Sequence, residues 1–284
     1  MRVITTIEEM QSTITQAKNS GQSIGYVPTM GFLHEGHLTL IEKARGENDV
    51  VVISIFVNPL QFGPTEDFSS YPRDFEHDKW LAEQQGVDFI FHPSVEEMYP
   101  RSSSVTVKVN ERTDVLCGKS RPDHFDGVAT VLTKLFNIIQ PEKVYFGTKD
   151  AQQVAVVEGL VNDFHIPIKV IPVETVRESD GLAKSSRNVN LLPKEREQAP
   201  VLYQSLLSAK KLILEGERNH EKIISIIKEM ITEKTDGIID YIDIYSYPML
   251  EEIQLLEGKI IIALAVKFSK VRLIDNIILE ISEK

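Results

Sequence analysis

Two histidines stand three residues apart in a glycine-containing turn near the start of the chain. They are His34 and His37, in the segment PTMGFLHEGH. At the start of a helix such residues share one face, beside free backbone N–H groups and the positive end of the helix dipole. This arrangement favours binding of phosphate oxygens and of charge that grows in a transition state. The alternatives are two surface histidines, or a zinc site that lacks an obvious third ligand.

A second segment, FGTKDAQQ, joins a predicted strand to a predicted helix. Lys149 could hold phosphates there, and Asp150 could cap the helix or accept hydrogen bonds from a ribose. Gln153 would project from the first helical turn toward the same crevice. The plainer interpretation is a solvated lysine beside a capping aspartate.

A third segment, DGLAKSSRN, places two hydroxyls and two cations within four consecutive residues, 184–187. These are dense donors for phosphate, and Gly181 just before them permits an unusual backbone turn. The alternative interpretation is a polar linker between two domains.

Uncharged amides and a histidine complete the set of candidate groups. Asn58 and Gln61 follow a strongly apolar strand, where amides suit hydroxyl or carboxylate recognition, although Asn-Pro is also a common turn pair. Arg121 and His124 stand just before a helix, with Asp126 as a possible cap. Most of these segments lie where a strand gives way to a helix, the side on which α/β sheets bind ligands.

The first half of the chain alternates strand-like and helix-like segments, which predicts a parallel sheet with right-handed crossovers and helices on both faces. The run at 50–57 is apolar at every position but one, as in a strand buried within such a sheet. Predicted strands are Ile24–Val27, Val50–Val57, Val87–Phe91, Lys143–Phe146 and Ile166–Val173. Predicted helices are Phe75–Gln85, Val128–Ile139 and Ala151–Phe164. Another predicted helix has Leu38–Ala44 as its first residues.

Past residue 176 the pattern changes to two helices followed by three strands, which predicts a small α+β domain. We place the boundary near Thr175, giving a catalytic domain over 1–175 and a smaller C-terminal domain over 176–284. The expected helices are Lys194–Leu214 and His220–Lys234, and the expected strands are Ile238–Tyr245, Lys259–Phe268 and Val271–Ile281.

Composition excludes several classes of protein. The formal net charge of −11 argues against a non-specific nucleic-acid binder. No apolar run approaches the roughly 20 residues of a membrane span, and the polar N-terminus lacks a signal core. With a single cysteine no intramolecular disulfide can form, so we expect a soluble cytoplasmic protein. Neither GxxxxGK[ST] nor GxGxxG occurs.

HEGH and KSSRN resemble the two signature motifs of class I adenylate-forming and nucleotidyl-transferring enzymes. The wider set is similar, in order and spacing, to the pantothenate synthetase family, and the resemblance covers nearly the whole chain. The segments that carry it are PTMGFLHEGH, SIFVNPLQFGP, YPRDFEHD, RPDHFDGV, YFGTKDAQQ, DGLAKSSRN and RLIDN.

The resemblance implies a Rossmann-like domain with a smaller C-terminal lid, usually in a homodimer, that uses ATP and Mg²⁺ to join pantoate to β-alanine through pantoyl-adenylate. Asp78 is the implied carboxylate near magnesium, and Gln61 and Gln153 are implied to hold pantoate. Gly147 and Asp150 are expected at the ribose. The residues expected around the nucleotide and its phosphates are Met30, His34, His37, Lys149, Ser185, Ser186 and Arg187. Other positions expected near the active site are Asn58, Tyr71, Arg121 and His124.

Three positions depart from the family pattern. Lys184 stands where Met or Leu is common, Asn190 replaces a common Tyr, and Cys117 occupies a spot that is usually acidic. None of the three removes a catalytic group. Two other functions remain open: a nucleotidyltransferase that stops at the adenylylated product, and a non-catalytic nucleotide-binding module.

Overall fold

The computed structural model describes residues 1–64, 66 and 68–282. These residues form a six-stranded parallel sheet and a separate three-stranded antiparallel sheet, so the predicted α/β fold class is confirmed. Strands are β1 Arg2–Ile4, β2 Ile24–Thr29, β3 Val50–Ile55, β4 Phe89–Phe91, β5 Lys143–Gly147, β6 Lys169–Val173, β7 Ile238–Ser246, β8 Gly258–Lys267 and β9 Arg272–Ile281. α-Helices are α1 Ile7–Asn19, α2 Glu35–Glu47, α3 Phe75–Gln84, α4 Val95–Met98, α5 Leu116–Ser120, α6 His124–Ile139, α7 Ala151–Asp163, α8 Pro193–Gln198, α9 Val201–Leu214 and α10 His220–Lys234. Short 3₁₀ turns span Pro59–Gln61, Thr148–Asp150 and Ser186–Asn190.

The parallel sheet has the strand order β1-β4-β3-β2-β5-β6. From β2 the chain moves outward through β3 to one side, and later through β5 and β6 to the other. The direction of winding therefore reverses between β2 and β5. In open α/β sheets ligands bind beyond the carboxyl ends of the strands at such a point.

β3 is buried along its whole length, as its apolar sequence predicts. Val50 and Val52 face the core that contains α6, whereas Val51 and Ile53 face the core beneath α2. Successive side chains of a strand point to opposite faces, so a strand covered on both faces must be apolar throughout. Each such side chain contributes about 1.5–3 kcal/mol when fully buried.

Two elements at the N-terminus, β1 and α1, were not predicted. α1 buries Met10, Ile14 and Ala17 on one face, and Thr6 caps it by accepting the backbone N–H of Glu9. This 3.6-residue spacing and the threonine cap are sequence signals for a helix. β1 then extends the sheet beside β4.

The predicted helix Lys194–Leu214 is wrong as a single element, because the chain forms two helices, α8 and α9. Pro200 lies between them and has no backbone N–H to donate, so α8 ends before it and α9 starts after it. The predicted strand Ile166–Val173 begins only at Lys169, and the β3 strand ends at Ile55 rather than Val57.

The antiparallel sheet packs α9 and α10 on one face, around Leu206, Ile227 and Leu264. Its other face meets the N-terminal half, where Ala155 of α7 lies in one apolar cluster with Ile261 of β8. The two halves therefore share a packed interface beside the crevice described below. None of the helices in the described residues is long and apolar enough to cross a bilayer.

Candidate active site

A crevice opens at the carboxyl ends of β2 and β5, where the sheet changes winding direction. Its cavity of about 250 Å³ adjoins a second of about 540 Å³ that runs between the two halves of the molecule. Every residue predicted for the site except Asp78 lines the smaller cavity. Those residues are Met30, His34, His37, Asn58, Gln61, Tyr71, Arg121, His124, Gly147, Lys149, Asp150, Gln153, Ser185, Ser186 and Arg187.

The two histidines form the N-terminus of α2. His34 is the cap residue, and its Nδ1 accepts the backbone N–H of Gly36 at 3.1 Å. The Nδ1 of His37 accepts the backbone N–H of His34 at 3.3 Å, and the two rings lie 4.2 Å apart. A Cβ at Gly36 would lie 2.9 Å from the His34 ring, so a glycine is needed where the His34 side chain folds over the start of the helix. Because each Nδ1 accepts a hydrogen bond, each neutral ring carries its hydrogen on Nε2.

Both histidines are neutral near pH 7. Burial, followed by the charge of Lys149, lowers the pKa of His34 to about 4. Burial, followed by His34 and Lys149, lowers the pKa of His37 to about 3. The pair therefore supplies hydrogen-bond donors rather than fixed positive charges. The cationic side chains that line the crevice are Lys149, Arg187, Arg121 and Lys184, of which the last two form ion pairs with carboxylates.

Asp78 lies behind this loop rather than in the crevice. It is buried, and its carboxylate accepts the backbone N–H groups of Phe32 at 2.8 Å and Leu33 at 2.6 Å. Gly31 and Phe32 both have positive φ, at 84° and 52°. Asp78 thus holds a backbone conformation that a non-glycine residue seldom adopts. The role of Asp78 near magnesium stays a prediction.

Lys149 lies in the 3₁₀ turn that links β5 to α7, with its Nζ 4.0 Å from the Asp150 carboxylate. Gly147 lies at the end of β5. Apart from its chain neighbours, no atom of the described residues lies within 4 Å of the position that a Cβ would take there, so that side of the backbone faces open space. The carbonyl of Lys149 accepts a hydrogen bond from Asn276 of β9 at 2.8 Å. A residue of the C-terminal sheet therefore contacts the loop that carries the candidate phosphate-binding lysine.

The segment 176–190, here called the serine loop, begins as a short hairpin. Arg177 pairs with Ala183 across it, and Gly181 makes the turn at a φ of 97°. Ser185 then caps the 3₁₀ turn by accepting the backbone N–H of Arg187 at 3.3 Å. Ser186 is buried, so the loop presents the two serines in different environments.

Lys184, the departure from the family pattern, forms two ion pairs. Its Nζ lies 2.8 Å from the Glu178 carboxylate and 3.1 Å from that of Glu35. Hydrogen bonding to Glu178, outweighing the effect of burial, raises the pKa of Lys184. Since Glu35 belongs to the HEGH segment, this lysine joins the serine loop to the N-terminus of α2.

Asn58 and Gln61 lie in the turn after β3, and protein groups already occupy much of their hydrogen-bonding capacity. Asn58 donates to the Gly127 carbonyl at 3.1 Å and accepts from the Tyr99 hydroxyl at 2.8 Å. Gln61 donates to the sulfur of Met30 at 3.3 Å and accepts from Asn58 at 3.3 Å. Asn58 therefore shapes the turn, and Gln61 lies above it at the crevice wall.

Arg121 and His124 hold the same turn from the other side. Arg121 forms a bidentate pair with Glu66, at 2.8 and 2.6 Å, and donates to Nε2 of His124 at 3.0 Å. His124 donates through Nδ1 to the Gln61 carbonyl at 2.8 Å. Burial, followed by the charge of Arg121, lowers the pKa of His124 to about 4, so the ring is neutral.

The two adjacent glutamines at the start of α7 have different environments. Gln152 is buried and bridges the carbonyls of Arg112 and Val115, both at 2.8 Å, while accepting the N–H of Cys117 at 2.9 Å. The side chain of Gln153 has no hydrogen-bond partner among the described residues and lines both cavities. Gln153 is therefore the amide with its full capacity available to a ligand.

The aromatic wall of the crevice is Tyr71, whose ring lies 5.6 Å from the Arg187 guanidinium. Cys117, another departure from the family pattern, lines the larger cavity, with its sulfur 3.3 Å from the Tyr241 hydroxyl and 3.4 Å from Arg272. Asn190, the remaining departure, lines that cavity as well.

Sequence reasoning did not assign roles to several residues that organise the site. Glu66 gave no signal, because nothing in its neighbourhood marks it as the partner of Arg121. Asn276 stands in the RLIDN segment, which resembles the family, but its target loop is 127 residues away in sequence. Such pairings become visible only when two elements are brought together in space.

Comparison with known proteins agrees with this geometry. The family model for pantoate-beta-alanine ligase matches residues 2–278. A pantothenate synthetase of Geobacillus sp. (strain WCH70) is 61% identical over 281 residues, covering 99% of this chain and 100% of the relative. One from Bacillus cereus (strain ATCC 10987 / NRS 248) is 60% identical with the same coverage.

Solved structures give the same result. The crystal structure of pantothenate synthetase from Thermus thermophilus matches with a TM-score of 0.93 and 43% identity, covering 100% of both chains. The pantoate-beta-alanine ligase of Francisella tularensis, complexed with beta-gamma ATP and β-alanine, matches with a TM-score of 0.79 and 37% identity, covering 98% of this chain and 97% of that one. The fold and crevice define a Rossmann-like ATP-dependent ligase that forms a C–N bond. Within that class, the chain belongs to the pantoate–β-alanine ligase family.

Proposed function

We propose that this protein uses ATP to activate the carboxylate of pantoate and then transfers the pantoyl group to the amine of β-alanine. The products are pantothenate, AMP and pyrophosphate. The observation that carries the proposal is one crevice that combines neutral imidazole donors, a lysine, a serine loop and the available amide of Gln153. Family membership over nearly the whole chain supports the same reaction.

In the first step a carboxylate oxygen of pantoate attacks the α-phosphorus of ATP. A P–O bond forms, the bond to the β-phosphate oxygen breaks, and pyrophosphate leaves with the electron pair. His34 and His37 donate Nε2–H bonds to oxygens on which charge grows, and Lys149 and Arg187 neutralise the phosphates. Donors fixed before the reaction stabilise such charge strongly because they need no reorganisation.

The residues present fit a magnesium ion that arrives with the nucleotide. Among residues 1–64, 66 and 68–282 no group of three or more His, Cys, Asp or Glu side chains is placed to hold a metal. Mg²⁺ commonly takes one or two carboxylates together with substrate phosphates and water. Asp78, the carboxylate that the family resemblance implies near the ion, does not line the crevice, and both of its oxygens accept backbone N–H groups. Its proposed contribution is therefore to hold the loop that leads to His34, and Mg²⁺ bound with ATP would stabilise the charge of the leaving pyrophosphate. Asp78→Asn should lower the melting temperature and leave the Mg²⁺ dependence unchanged; a changed Mg²⁺ dependence would restore Asp78 as a ligand.

Pantoate is proposed to lie between Gln61 and Gln153. An amide can donate to its carboxylate and accept from its hydroxyls, whereas a cation would form an ion pair and blunt the nucleophile. Tyr71 closes the wall beside this position. Asn58, Arg121 and His124 support the Gln61 turn through the contacts described above.

In the second step the amine of β-alanine attacks the acyl carbon of pantoyl-adenylate. A C–N bond forms, the C–O bond to the phosphate breaks, AMP leaves with the electron pair, and the nitrogen releases a proton to solvent. The acyl-adenylate is prone to hydrolysis, so the segment from 176 onward is proposed to act as a lid that excludes water. Met30, Gly147, Asp150, Ser185 and Ser186 are proposed to hold the nucleotide.

We also propose that the protein is a cytoplasmic homodimer, on the strength of its family resemblance. A single chain has a mass of 32.1 kDa. Sedimentation at micromolar concentration distinguishes a monomer of that mass from a dimer, and fractionation of cells locates the protein.

The decisive experiment measures AMP release with ATP, Mg²⁺ and pantoate, in the presence and absence of β-alanine. We expect multiple-turnover AMP release only with β-alanine, together with exchange of labelled pyrophosphate into ATP in its absence. A requirement of that exchange for the amine would reject the two-step scheme. Formation of a stable adenylylated product would indicate a nucleotidyltransferase, and ATP binding without turnover would indicate a binding module.

A further inference from the structure

The segment RLIDN at the start of β9 has no part in the mechanism above, yet two of its side chains reach both candidate phosphate-binding loops. Asn276 is 8% exposed. Its Nδ2 donates to the carbonyls of Thr148 at 3.0 Å and Lys149 at 2.8 Å. An amide nitrogen carries two hydrogens, so both are committed to the backbone of the lysine turn.

The preceding residue, Asp275, holds the serine loop. Its carboxylate accepts both terminal nitrogens of Arg177, at 2.7 and 2.9 Å, in a bidentate pair. The side chains are well shielded, with 4% of Asp275 and 15% of Arg177 exposed. Arg177 also donates to the Gly181 carbonyl at 3.1 Å and lies 3.4 Å from the ring of Tyr203. The hairpin at the base of the serine loop is thereby fixed to β9.

We propose that Asp275 and Asn276 are positioning residues that set the distance between Lys149 and the serine loop. Neighbouring residues of an extended strand point to opposite faces, so one strand can hold two loops at once. Consecutive residues lie a fixed 3.8 Å apart at Cα, which leaves little freedom between the two anchors. The inference depends on the proposed function only for the identity of the ligand, ATP.

The test is a double-mutant cycle on ATP binding, measured by calorimetry without pantoate so that no turnover occurs. We expect Asn276→Ala to weaken ATP binding about tenfold and Lys149→Ala to weaken it further. Because Asn276 acts through Lys149, the double variant should bind no more weakly than Lys149→Ala alone. If the double variant lost affinity for ATP by the product of the two single-variant losses, the proposal would be overturned.

Two further variants separate positioning from folding. Asn276→Leu fills the same volume without donors and should weaken ATP binding as much as Asn276→Ala; wild-type binding by this variant would also overturn the proposal. Thr130→Val is the matched control, because Thr130 is a buried polar side chain that accepts the backbone N–H of Val107 and lines neither cavity. It should lower the melting temperature and leave ATP affinity unchanged. Binding is read without β-alanine, so failure of the ligase assay would not be mistaken for failure of this inference.

Discussion

At the scale of single residues, the neutral state of the two crevice histidines determines what their loss should do. We expect His34→Ala or His37→Ala to lower the rate of pyrophosphate exchange by about 10²–10³, the effect of removing one preorganised donor. The exposed His165 provides a control, and His165→Ala should leave the rate unchanged. A folded His34→Ala or His37→Ala protein with the wild-type exchange rate would contradict the assigned role.

Substitutions of the glutamines give a more specific test. The side chain of Gln153 has no hydrogen-bond partner among the described residues, whereas those of Gln61 and Gln152 are hydrogen-bonded within the protein. Gln153→Ala should raise the KM for pantoate about tenfold, equivalent to about 1.4 kcal/mol, without changing the melting temperature. Gln61→Ala should raise the same KM and also lower stability, since Gln61 is bonded to Met30 and Asn58.

Gln152→Ala serves as the neighbouring control for both variants. It should mainly lower stability, because Gln152 ties the backbone at 112–117 to α7. Equal changes in the KM values for pantoate and ATP in Gln153→Ala would show that this residue only supports the loops.

Lys184 is bonded to two carboxylates, so its substitution should act mainly through them. Lys184→Met leaves Glu35 and Glu178 uncompensated beside the phosphate site, and we expect the KM for ATP to rise about threefold to tenfold, in line with a loss of about 1 kcal/mol. Lys149→Ala should be far more damaging.

A second substitution tests how Lys184 acts. Adding Glu178→Gln to Lys184→Met removes one repulsive charge and should restore part of the lost affinity for ATP. Lys194→Met is the control, because Lys194 forms an exposed pair with Asp236 outside the crevice. If the double variant recovered nothing, Lys184 would be a direct phosphate ligand instead.

Nearly all the residues predicted from sequence line the crevice, but sequence alone could not rank them. FGTKDAQQ contains two adjacent glutamines of equal chemical type, and only the packing of 112–117 shows which one is committed. Asn58 was likewise predicted as a recognition group, whereas its partners Gly127 and Tyr99 are distant in sequence. Residue type indicates which hydrogen bonds a side chain can form. The fold determines which of those hydrogen bonds are already made to other protein groups.

At the scale of elements, the close approach of α6 to the Gln61 turn rests on one glycine. A Cβ at Gly127 would lie 2.3 Å from the Leu60 carbonyl oxygen and 2.7 Å from the Gln61 nitrogen. Gly127→Ala must push these elements apart, and we expect both a lower melting temperature and a higher KM for pantoate.

Gly46→Ala is the matched control for that substitution. Gly46 lies in α2 with nothing within 4 Å of the added Cβ. Alanine there should raise stability by about 0.5–1 kcal/mol and leave kinetics unchanged. Retention of wild-type pantoate kinetics by Gly127→Ala would show that the turn adjusts without cost to the site.

The elements themselves were predicted where their apolar pattern was strong. β3 and α6 follow directly from buried runs, and the parallel sheet follows from their alternation. The errors fall where a local signal opposed the pattern, as at Pro200, or where the pattern was short, as at β1. α1 is the exception, because it was not predicted although its apolar spacing and its Thr6 cap are readable. The boundary near Thr175 lies two residues past the end of β6, and it stays a prediction.

At the scale of the whole molecule, three neutral histidines, His124 buried and His34 and His37 partly buried, make stability depend on pH. The native pKa values of about 4, 3 and 4 for His34, His37 and His124 lie below the ordinary 6.5. Below pH 6.5 the unfolded chain binds protons that the native protein does not. The free energy of unfolding should therefore fall between pH 6.5 and 5, by at most about 1.4 kcal/mol per pH unit for each histidine.

Urea unfolding at several pH values measures this slope. His124→Gln keeps a donor toward the Gln61 carbonyl and removes one titrating group, so its slope should be smaller than that of the wild type. His165→Gln, at an exposed position, should leave the slope unchanged. Identical slopes for the wild type and His124→Gln would show that His124 is not held neutral.

The two anchors of the serine loop differ in how easily they break. Arg177–Asp275 is shielded from water, whereas the Glu35 side chain that faces Lys184 is 61% exposed. An exposed ion pair is worth at most about 1 kcal/mol, while removing one partner of a buried pair costs about 3–5 kcal/mol. If the proposed lid opens, the first contact to break should therefore be the ion pair between Lys184 and Glu35. The two serines would travel with the C-terminal half, leaving the imidazoles behind on the sheet.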